Sequence, residues 1–479
     1  MNNFKSEIKR ATEFMYQHRE QVIQSKYHQI FHLSSPVGWM NDPNGFIYYD
    51  GAYHLFFQYH PFQAEWHSMY WGHAKSNDLI TWEFLPVALA PSENYDLDLN
   101  GGCFSGTALY LNDLLYLFYS GVVSDENNNF IQTQCLATSD DGVNFQKSKN
   151  NPIIKKPPQG VRAKNFRDPK VWAHNGTFYM LVGISIYNKG NAVLYQSNDL
   201  LNWVELGLII DNDEKMLGTM WECPDFFEIN QQDVLIFSPL GMGDIITVYF
   251  IGKMDYETGI FQVYEQGIVD YGPDFYAPQT LLDNHNRRIM IGWQNGWDWM
   301  PKWNGFGPTS EDSWSGSMSL PREVKLYNNK LLFFPINSLT TYVKKVITQY
   351  HFKINQQIRL AFKGVLARYQ LELPLDVSHN QYRLEIRNGN QITDIFKIDS
   401  KQISYSSLNN PFGKKDVSLP INNKEIHLLI ISDTISFEIF EINSGQVMSV
   451  NHFNPNCDND FFICSESPRQ LDEITLFEY

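Results

Sequence analysis

The sequence predicts an all-β protein: a five-bladed β-propeller followed by a C-terminal β-sandwich, with a short N-terminal helical segment. The first observation is a recurrence of apolar segments, at residues 53–58, 114–120, 177–183, 233–239 and 287–293. Five such segments imply five blades. Their period of about 60 residues is too long for a solenoid repeat and suits a blade of four short strands with extended loops.

The second observation is a turn that repeats between these segments. Three copies, at 76–82, 139–145 and 197–203, share a Ser, an Asp two positions later and an aromatic residue six positions later, and a stretched fourth copy covers 253–261. A β-sandwich is the commoner all-β fold and is the alternative interpretation. Three matching turns favour the propeller over coincidental spacing.

The segments on either side of the repeat have different patterns. Residues 1–30 carry a helical pattern rich in Glu, Gln, Lys and Arg, so we expect a helix that packs outside the main fold. The propeller is predicted for 31–337. From 345 to 479, strands such as 358–362 and 382–386 alternate polar and apolar residues, which predicts a sandwich domain with a supporting role.

Composition and charge argue against several classes of function. The 479 residues carry a formal net charge of −16, which argues against nucleic-acid binding because phosphate contacts need clustered Lys and Arg. The sequence has no apolar run of about 18 residues and no signal-peptide pattern, so we expect a cytoplasmic protein. The five cysteines are scattered without CxxC spacing, which predicts neither a disulfide framework nor a zinc site.

Three acidic residues occupy the same place in the repeat, and each is followed closely by a proline. Asp42, Asp168 and Glu222 precede the apolar segments of three blades, and Ser105 and Tyr276 take this place in the other two. Alone, each motif is a weak signal, because Asn-Asp-Pro-Asn-Gly is also typical of a bare turn. If the repeat closes into a ring, the five side chains meet at its axis in a polar, sugar-sized pocket.

Paired carboxyl groups are what glycoside hydrolysis requires. One carboxylate attacks the anomeric carbon, and the other keeps its proton and gives it to the leaving oxygen. Repulsion between neighbouring carboxylates separates their pKa values. A third acid can offset the positive charge that develops on the sugar, and we expect Arg167 to hold the adjacent Asp168 charged. The motifs alone leave open which acid takes which role.

Several sequence blocks resemble those of a known enzyme family. Residues 39–45, 166–170 and 221–225 resemble the three signature blocks of glycoside hydrolase family 32, the β-fructofuranosidases. The resemblance covers 27–335 closely and continues through four further blocks, at 71–74, 103–106, 274–279 and 320–323. It implies a five-bladed propeller followed by a sandwich, in agreement with the repeat.

The resemblance also implies roles for the site residues. Asp42 matches the nucleophile, Glu222 the general acid/base and Asp168 the transition-state stabiliser, and no metal or other cofactor is implied. Sucrose would be cleaved by double displacement with net retention, which requires the nucleophile and acid carboxyls to lie about 5–5.5 Å apart. The matching fructose-binding residues are Asn41, Gln58, Trp66, Phe104, Ser105, Arg167, Tyr276 and Trp293.

The substrate is the least determined part of this prediction. The chain resembles the bacterial intracellular branch of the family, which contains sucrose and sucrose-6-phosphate hydrolases. Segment 294–302 has a single lysine, whereas binding of a phosphate group generally needs two or three basic groups. Sucrose is therefore the favoured substrate, and short fructo-oligosaccharides are secondary substrates. A fructosyltransferase is an alternative with the same acids. A non-catalytic sugar-binding propeller is disfavoured because all three acids are present.

Overall fold

The computed structural model describes residues 2–479 except 244, 298–306, 355–356, 361, 363–364, 366, 409–415, 454–458 and 467. Strands dominate the described part of the chain, so the prediction of an all-β protein with few helices is confirmed. Cys457 and residues 298–302 of the segment 294–302 lie outside the described residues.

A single long helix precedes the first described strand. Helix α1 (Asn2–Ile23) ends earlier than the predicted helical segment. Its apolar residues recur at the spacing of one helical face, and that face is buried against the first two sheets. Thr12 adds a polar contact, because its hydroxyl accepts the backbone N–H of Val87 at 3.0 Å. The buried residues of this face are Phe4, Ala11, Met15 and Val22.

The strands described between residues 38 and 335 form five sheets. The first contains β1 (Gly38–Tyr49), β2 (Ala52–His60), β3 (Tyr70–Ser76) and β4 (Glu83–Phe84). The second contains β5 (Gly102–Leu111), β6 (Leu114–Ser124), β7 (Phe130–Ser139) and β8 (Gln146–Lys147). The third contains β9 (Phe166–His174), β10 (Thr177–Ile186), β11 (Lys189–Ser197) and β12 (Val204–Leu208).

The fourth sheet contains β13 (Trp221–Ile229), β14 (Gln232–Pro239), β15 (Val248–Met254) and β16 (Phe261–Ile268). After it come β17 (Tyr276–Leu282), β18 (Arg288–Trp293), β19 (Trp314–Ser315), β20 (Arg322–Tyr327) and β21 (Lys330–Pro335). Four of these form the fifth sheet in the order β17-β18-β20-β21, while β19 pairs in parallel with β1 in the first sheet. Short 3-10 helices cover Asp213–Lys215, Pro308–Asp312 and Asn337–Tyr342.

The first strands of the five sheets contact one another in a closed order. Strand β1 contacts β5, β5 contacts β9, β9 contacts β13, β13 contacts β17, and β17 returns to β1. We call these five the inner strands. The residues that begin them are therefore neighbours in space although they are far apart in the sequence.

The repeated turn has one structure in all three copies. In each, the Asp carboxylate accepts two backbone N–H groups from the residues two and three positions later, at 2.7 to 2.9 Å. This side-chain-to-backbone bonding is the reason Asp is favoured in such turns. The three carboxylates belong to Asp78, Asp141 and Asp199.

The remaining strands form two sheets of six strands each. One has the order β22-β33-β24-β29-β30-β31 and the other β23-β32-β25-β26-β27-β28. Their bounds are β22 (Lys345–Ile354), β23 (Gln357–Arg359), β24 (Tyr369–Asp376), β25 (Tyr382–Asn388), β26 (Gln391–Ile398), β27 (Gln402–Ser407), β28 (Asp416–Pro420), β29 (Glu425–Asp433), β30 (Ser436–Glu441), β31 (Gln446–Asn451), β32 (Asn459–Ser465) and β33 (Arg469–Glu478).

The two sheets enclose a separate hydrophobic core, as in a sandwich. Residues from both sheets share it, because alternate side chains of each strand point inward. Five fully buried members are Leu371, Leu384, Ile430, Phe437 and Ile463. Within the described residues, none of the helices has the length and apolar character needed to cross a membrane.

Candidate active site

Each inner strand is interrupted near its start by a β-bulge, and the bulge lies at the predicted site residue. The pairing register shifts across these positions in all five inner strands. A bulge leaves one residue unpaired and re-aims its side chain. Asp42, Ser105 and Asp168 lie within the unpaired stretch of their strands, whereas Glu222 and Tyr276 are the last paired residues before the shift. These five are the residues predicted from the repeat.

The bulges explain why prolines follow the site residues. A proline has no N–H for the ladder and is tolerated in a sheet at a bulge. The local backbone is also unusual, because Asp168, Cys223 and Ala277 adopt positive φ angles of 65°, 48° and 51°. Proline inside an otherwise apolar β segment was therefore the signal for a bulge. The prolines concerned are Pro43, Pro169, Pro224 and Pro278.

Serines on the second strands support two of these bulges. The backbone N–H of Asp168 donates to Ser120 Oγ at 2.9 Å, and that of Ala277 donates to Ser238 Oγ at 2.9 Å. Both serines are fully buried, so each satisfies an amide that the bulge removes from the ladder. Sequence reasoning missed them, although a serine at the end of a buried apolar strand is a visible signal.

Asp42 lies on β1 with its two carboxyl oxygens in different environments. Its Oδ2 accepts the Ser105 hydroxyl at 2.8 Å and lies 3.5 Å from Cys223 Sγ. Its Oδ1 is buried and has no hydrogen-bond partner among the described residues. Burial first, and then the charge of Glu222, raise the pKa of Asp42, while the neighbouring Asn41 amide and the Ser105 hydroxyl lower it.

Asp168 lies on β9, and its side chain reaches the fourth sheet. Its Oδ2 accepts the backbone N–H of Cys223 at 3.0 Å. Burial raises the pKa of Asp168 to about 7, helped by the charges of Glu222 and Asp42 and opposed by Arg167. Cys223 therefore touches two of the three acids, and sequence reasoning had assigned it no part in the site.

Glu222 lies on β13 and is held from both neighbouring sheets. Arg167 donates two hydrogen bonds to Oε1, from Nε at 2.9 Å and Nη2 at 2.6 Å, and the Tyr276 hydroxyl donates to Oε2 at 2.5 Å. Arg167 was expected to hold the adjacent Asp168 charged, and its charge does lower the Asp168 pKa, but its hydrogen bonds go to Glu222. The guanidinium Nε lies 3.9 Å from Asp168 Oδ2, because side chains of adjacent strand residues diverge and that of Arg167 points towards Glu222.

Three of the predicted pocket residues each contact an aromatic side chain. Asn41 is buried, and its Oδ1 accepts the Trp39 indole N–H at 2.7 Å. Trp66 and Phe104 are both half-buried and make an edge-to-face contact, with ring centroids 6.0 Å apart. Their exposed surfaces leave aromatic area available beside the acids.

The other two predicted pocket residues are more deeply buried. Gln58 is 2% exposed, and its Nε2 donates to the Cys103 carbonyl at 2.9 Å, so its amide connects the first two sheets. Trp293 is fully buried and pairs with Tyr276 across β17 and β18. Its indole Nε1 has no hydrogen-bond partner within the part of the chain that the structure describes.

A ring of β-sheets around three clustered carboxyl groups is the architecture of a glycoside hydrolase. Residues 32–335 match the N-terminal domain of glycosyl hydrolases family 32. The chain belongs to this family, and the resemblance found in the sequence blocks is confirmed.

Relatives and solved structures agree with this assignment. The chain is 36% identical over 461 residues to a sucrose-6-phosphate hydrolase of Bacillus subtilis (strain 168), with 93% of each chain covered. It is 34% identical over 456 residues to a raffinose invertase of Escherichia coli, with 90% of each covered. A family 32 β-fructofuranosidase of Bombyx mori superposes with a TM-score of 0.82 at 30% identity, over 99% of this chain and 98% of that one.

Proposed function

We propose that the protein is a retaining β-fructofuranosidase that hydrolyses sucrose to glucose and fructose. The observation that carries the proposal is the asymmetric environment of Asp42. One of its oxygens is held by Ser105, and the other is buried and unpartnered among the described residues, while the charge of Glu222 raises the pKa of the carboxyl group. The family and the names of the relatives support the same activity.

Asp42 is the nucleophile in this proposal. Its Oδ1 forms the bond to C2 of the fructosyl unit, while the bond between C2 and the glucosyl oxygen breaks. The Ser105 hydroxyl holds Oδ2 and stabilises the carboxylate form, which is the form that attacks. The covalent intermediate is then a fructosyl ester of Asp42.

Glu222 is the general acid and then the general base. It gives a proton to the departing glucosyl oxygen, and it later takes one from the water that attacks C2 and releases Asp42. Hydrogen bonds from Arg167 and Tyr276 fix both of its oxygens, so its orientation depends on two neighbouring sheets. The predicted distance of about 5–5.5 Å between the Asp42 and Glu222 carboxyls stays a prediction.

Asp168 stabilises the positive charge that develops on the fructosyl ring. Its carboxylate is anchored by the Cys223 amide, which keeps it next to the other two acids. The fructose pocket is proposed to be lined by Asn41, Gln58, Trp66, Phe104, Arg167, Tyr276 and Trp293. The indole N–H of Trp293 is buried and unpartnered among the described residues, and Trp293 pairs with Tyr276 across β17 and β18.

Two structural parts of the prediction belong to the same proposal. The five sheets, whose inner strands contact one another in a closed order, are taken as five propeller blades. The domain boundaries 1–30, 31–337 and 345–479 are kept, since β21 ends at Pro335 and β22 begins at Lys345. The cytoplasmic location stays a prediction.

A second candidate activity, hydrolysis of sucrose-6-phosphate, is favoured by one basic residue, Arg162, near the site. Arg162 lines a cavity of about 280 Å³ together with Asn165 and Tyr187. The Lys164 carbonyl accepts Nη1 of Arg167 at 3.2 Å, so this cavity adjoins the residue that holds Glu222. A phosphate on the leaving glucosyl unit would find the Arg162 guanidinium here, and several relatives carry the name sucrose-6-phosphate hydrolase.

The test compares fructose release from equal concentrations of sucrose and sucrose-6-phosphate. We expect Asp42→Asn to abolish release from both sugars. If kcat/KM is higher for sucrose and Arg162→Gln leaves it unchanged, sucrose is the substrate. If the phosphorylated sugar is preferred and Arg162→Gln lowers only that activity, the second candidate is correct; Arg19→Gln, on helix α1, is the matched control.

Absence of release from either sugar by the wild-type protein would refute both candidates. Product analysis at high sucrose concentration separates hydrolysis from fructosyl transfer, because a transferase produces fructosylated sugars in place of free fructose.

A further inference from the structure

The C-terminal sandwich reaches the two chain segments that carry Tyr276 and Trp293. Asn451, the last residue of β31, donates its backbone N–H to Asp274 Oδ2 at 2.7 Å and its Nδ2 to Asp274 Oδ1 at 3.1 Å. The same Nδ2 also donates to the Gln294 carbonyl at 2.8 Å. Asp274 precedes Tyr276 by two residues, and Gln294 directly follows Trp293.

These contacts hold both strands of one antiparallel pair at the same end of that pair. Tyr276 and Trp293 are direct partners across β17 and β18. Asn451 therefore holds the chain just before the first strand and just after the second. Asn451 and Asp274 are only 4% and 3% exposed, so water cannot readily replace a lost hydrogen bond, and an unpaired buried group costs about 1–3 kcal/mol.

The surrounding contact between sandwich and fifth sheet is close. A Cβ atom added at Gly272 would lie 1.8 Å from the Ser449 carbonyl oxygen, so the two backbones touch. Beside it, fully buried Arg322 pairs with Asp270 at 2.7 Å and with Glu438 of β30 at 2.7 Å. These pairs fix the sandwich against the fifth sheet. They therefore also fix the position of Asn451, which belongs to the sandwich.

On the other side of Tyr276, the fourth sheet fixes the chain. Thr247 donates its hydroxyl to the Phe275 carbonyl at 2.8 Å, and Ser238 accepts the Ala277 N–H. Tyr276 is thus held by the fourth sheet through its own neighbours in sequence and by the sandwich through Asp274. Its hydroxyl in turn contacts Glu222.

We propose that Asn451 is a positioning residue for the reaction, which acts through Asp274 and Tyr276 on the orientation of Glu222. The inference rests on the proposed role of Glu222 as general acid. It gives the C-terminal sandwich a part in catalysis beyond mechanical support.

The test measures kcat and KM of Asn451→Ala on sucrose and on p-nitrophenyl β-D-fructofuranoside, whose leaving group needs little protonation. A misplacement of catalytic groups by about 1 Å can cost about 100-fold in rate, so we expect kcat on sucrose to fall about 10- to 100-fold. The kcat on the aryl fructoside is expected to fall less. Asn443→Ala is the matched control, because its amide donates within the sandwich, to the Glu425 carbonyl.

The double variant Asn451→Ala/Tyr276→Phe distinguishes an effect on the position of Glu222 from a general loss of protein stability. If Asn451 acts through the tyrosine hydroxyl, Asn451→Ala should lower sucrose kcat little further in the Tyr276→Phe background. All rates are compared well below the melting temperature of each variant. If Asn451→Ala does not fold, Asp274→Asn is measured instead, which keeps the shape of the side chain and should give a smaller loss of the same kind.

An unchanged sucrose kcat, an equal loss on both substrates, or multiplicative losses in the double variant would each overturn the inference. Failure of the proposed function looks different, because the wild-type protein would then release fructose from neither substrate.

Discussion

The Ser105 hydroxyl donates a hydrogen bond to Oδ2 of Asp42 at 2.8 Å across two neighbouring sheets. This bond stabilises the carboxylate against the burial that raises its pKa. It also leaves Oδ1 as the oxygen without a partner within the described part of the protein. If Asp42 is the nucleophile, as proposed above, Oδ1 is the oxygen that attacks.

Replacing Ser105 by alanine should shift activity towards alkaline pH. The lost hydrogen bond had lowered the Asp42 pKa, so that pKa rises further and the acid limb of the kcat/KM profile moves to higher pH. Loss of a hydrogen bond to a charged group costs about 1.5–3 kcal/mol, or about 10- to 100-fold in kcat/KM. Ser139→Ala, in the repeated turn of the second sheet, is the control. A profile of unchanged shape would argue against Asp42 as the ionised group.

Glu222→Gln should separate the two kinds of substrate. Loss of a general acid costs about 10²- to 10⁴-fold in rate, so kcat on sucrose should fall by that factor. A fructoside with a leaving group that needs no proton should retain most of its first-step rate, which burst kinetics can measure. Equal losses on both substrates would remove Glu222 from the role of acid.

Asp168 should make the protein less stable as the pH rises. Its pKa rises from 3.8 to about 7 on folding, so its contribution is fully present below pH 4 and is lost as the pH rises through 7. The Asp168→Asn variant lacks this loss. The melting temperature of this variant minus that of the wild type should therefore be larger at pH 8 than at pH 5. The exposed Asp140→Asn serves as control, and a difference independent of pH would contradict the prediction.

Lys170→Met should destabilise the fold. Lys170 Nζ lies 2.5 Å from Asp225 Oδ1 between the third and fourth sheets, and the carboxylate is fully buried. Removing one partner of a buried ion pair costs about 3–5 kcal/mol, which urea unfolding can measure. Lys75→Met removes an exposed pair with Glu83 and should cost about 0–1 kcal/mol. Similar losses in both variants would show that the burial of Asp225 has little effect.

The sequence was most informative where the repeat placed equivalent residues. Asp42, Asp168 and Glu222 could be aligned with Ser105 and Tyr276 because each occupies one register position, and the structure brings all five to bulges of neighbouring strands. The repeated turn could be predicted for the same reason, since its hydrogen bonds are local and depend on residues within six positions of one another.

The partners of these residues could not be predicted, because they lie in other repeats. Arg167 reaches Glu222, 55 residues later, and only the orientation of the bulge decides between that carboxylate and the adjacent Asp168. The same holds for Gln58, whose amide binds a backbone carbonyl of the next sheet. Spacing identifies a position on a strand, whereas the direction of a side chain depends on the packed fold.

The contact between Asn451 and Asp274 spans 177 residues of the chain. During synthesis, domains generally fold in order from the N-terminus, so all three acids are made and can be enclosed by their sheets long before residue 451 is joined to the chain. If the sandwich positions Tyr276, a nascent propeller holds its carboxyl groups in place but turns over slowly. Full activity then appears only when the last strands have folded, which makes the enzyme itself a reporter of complete translation.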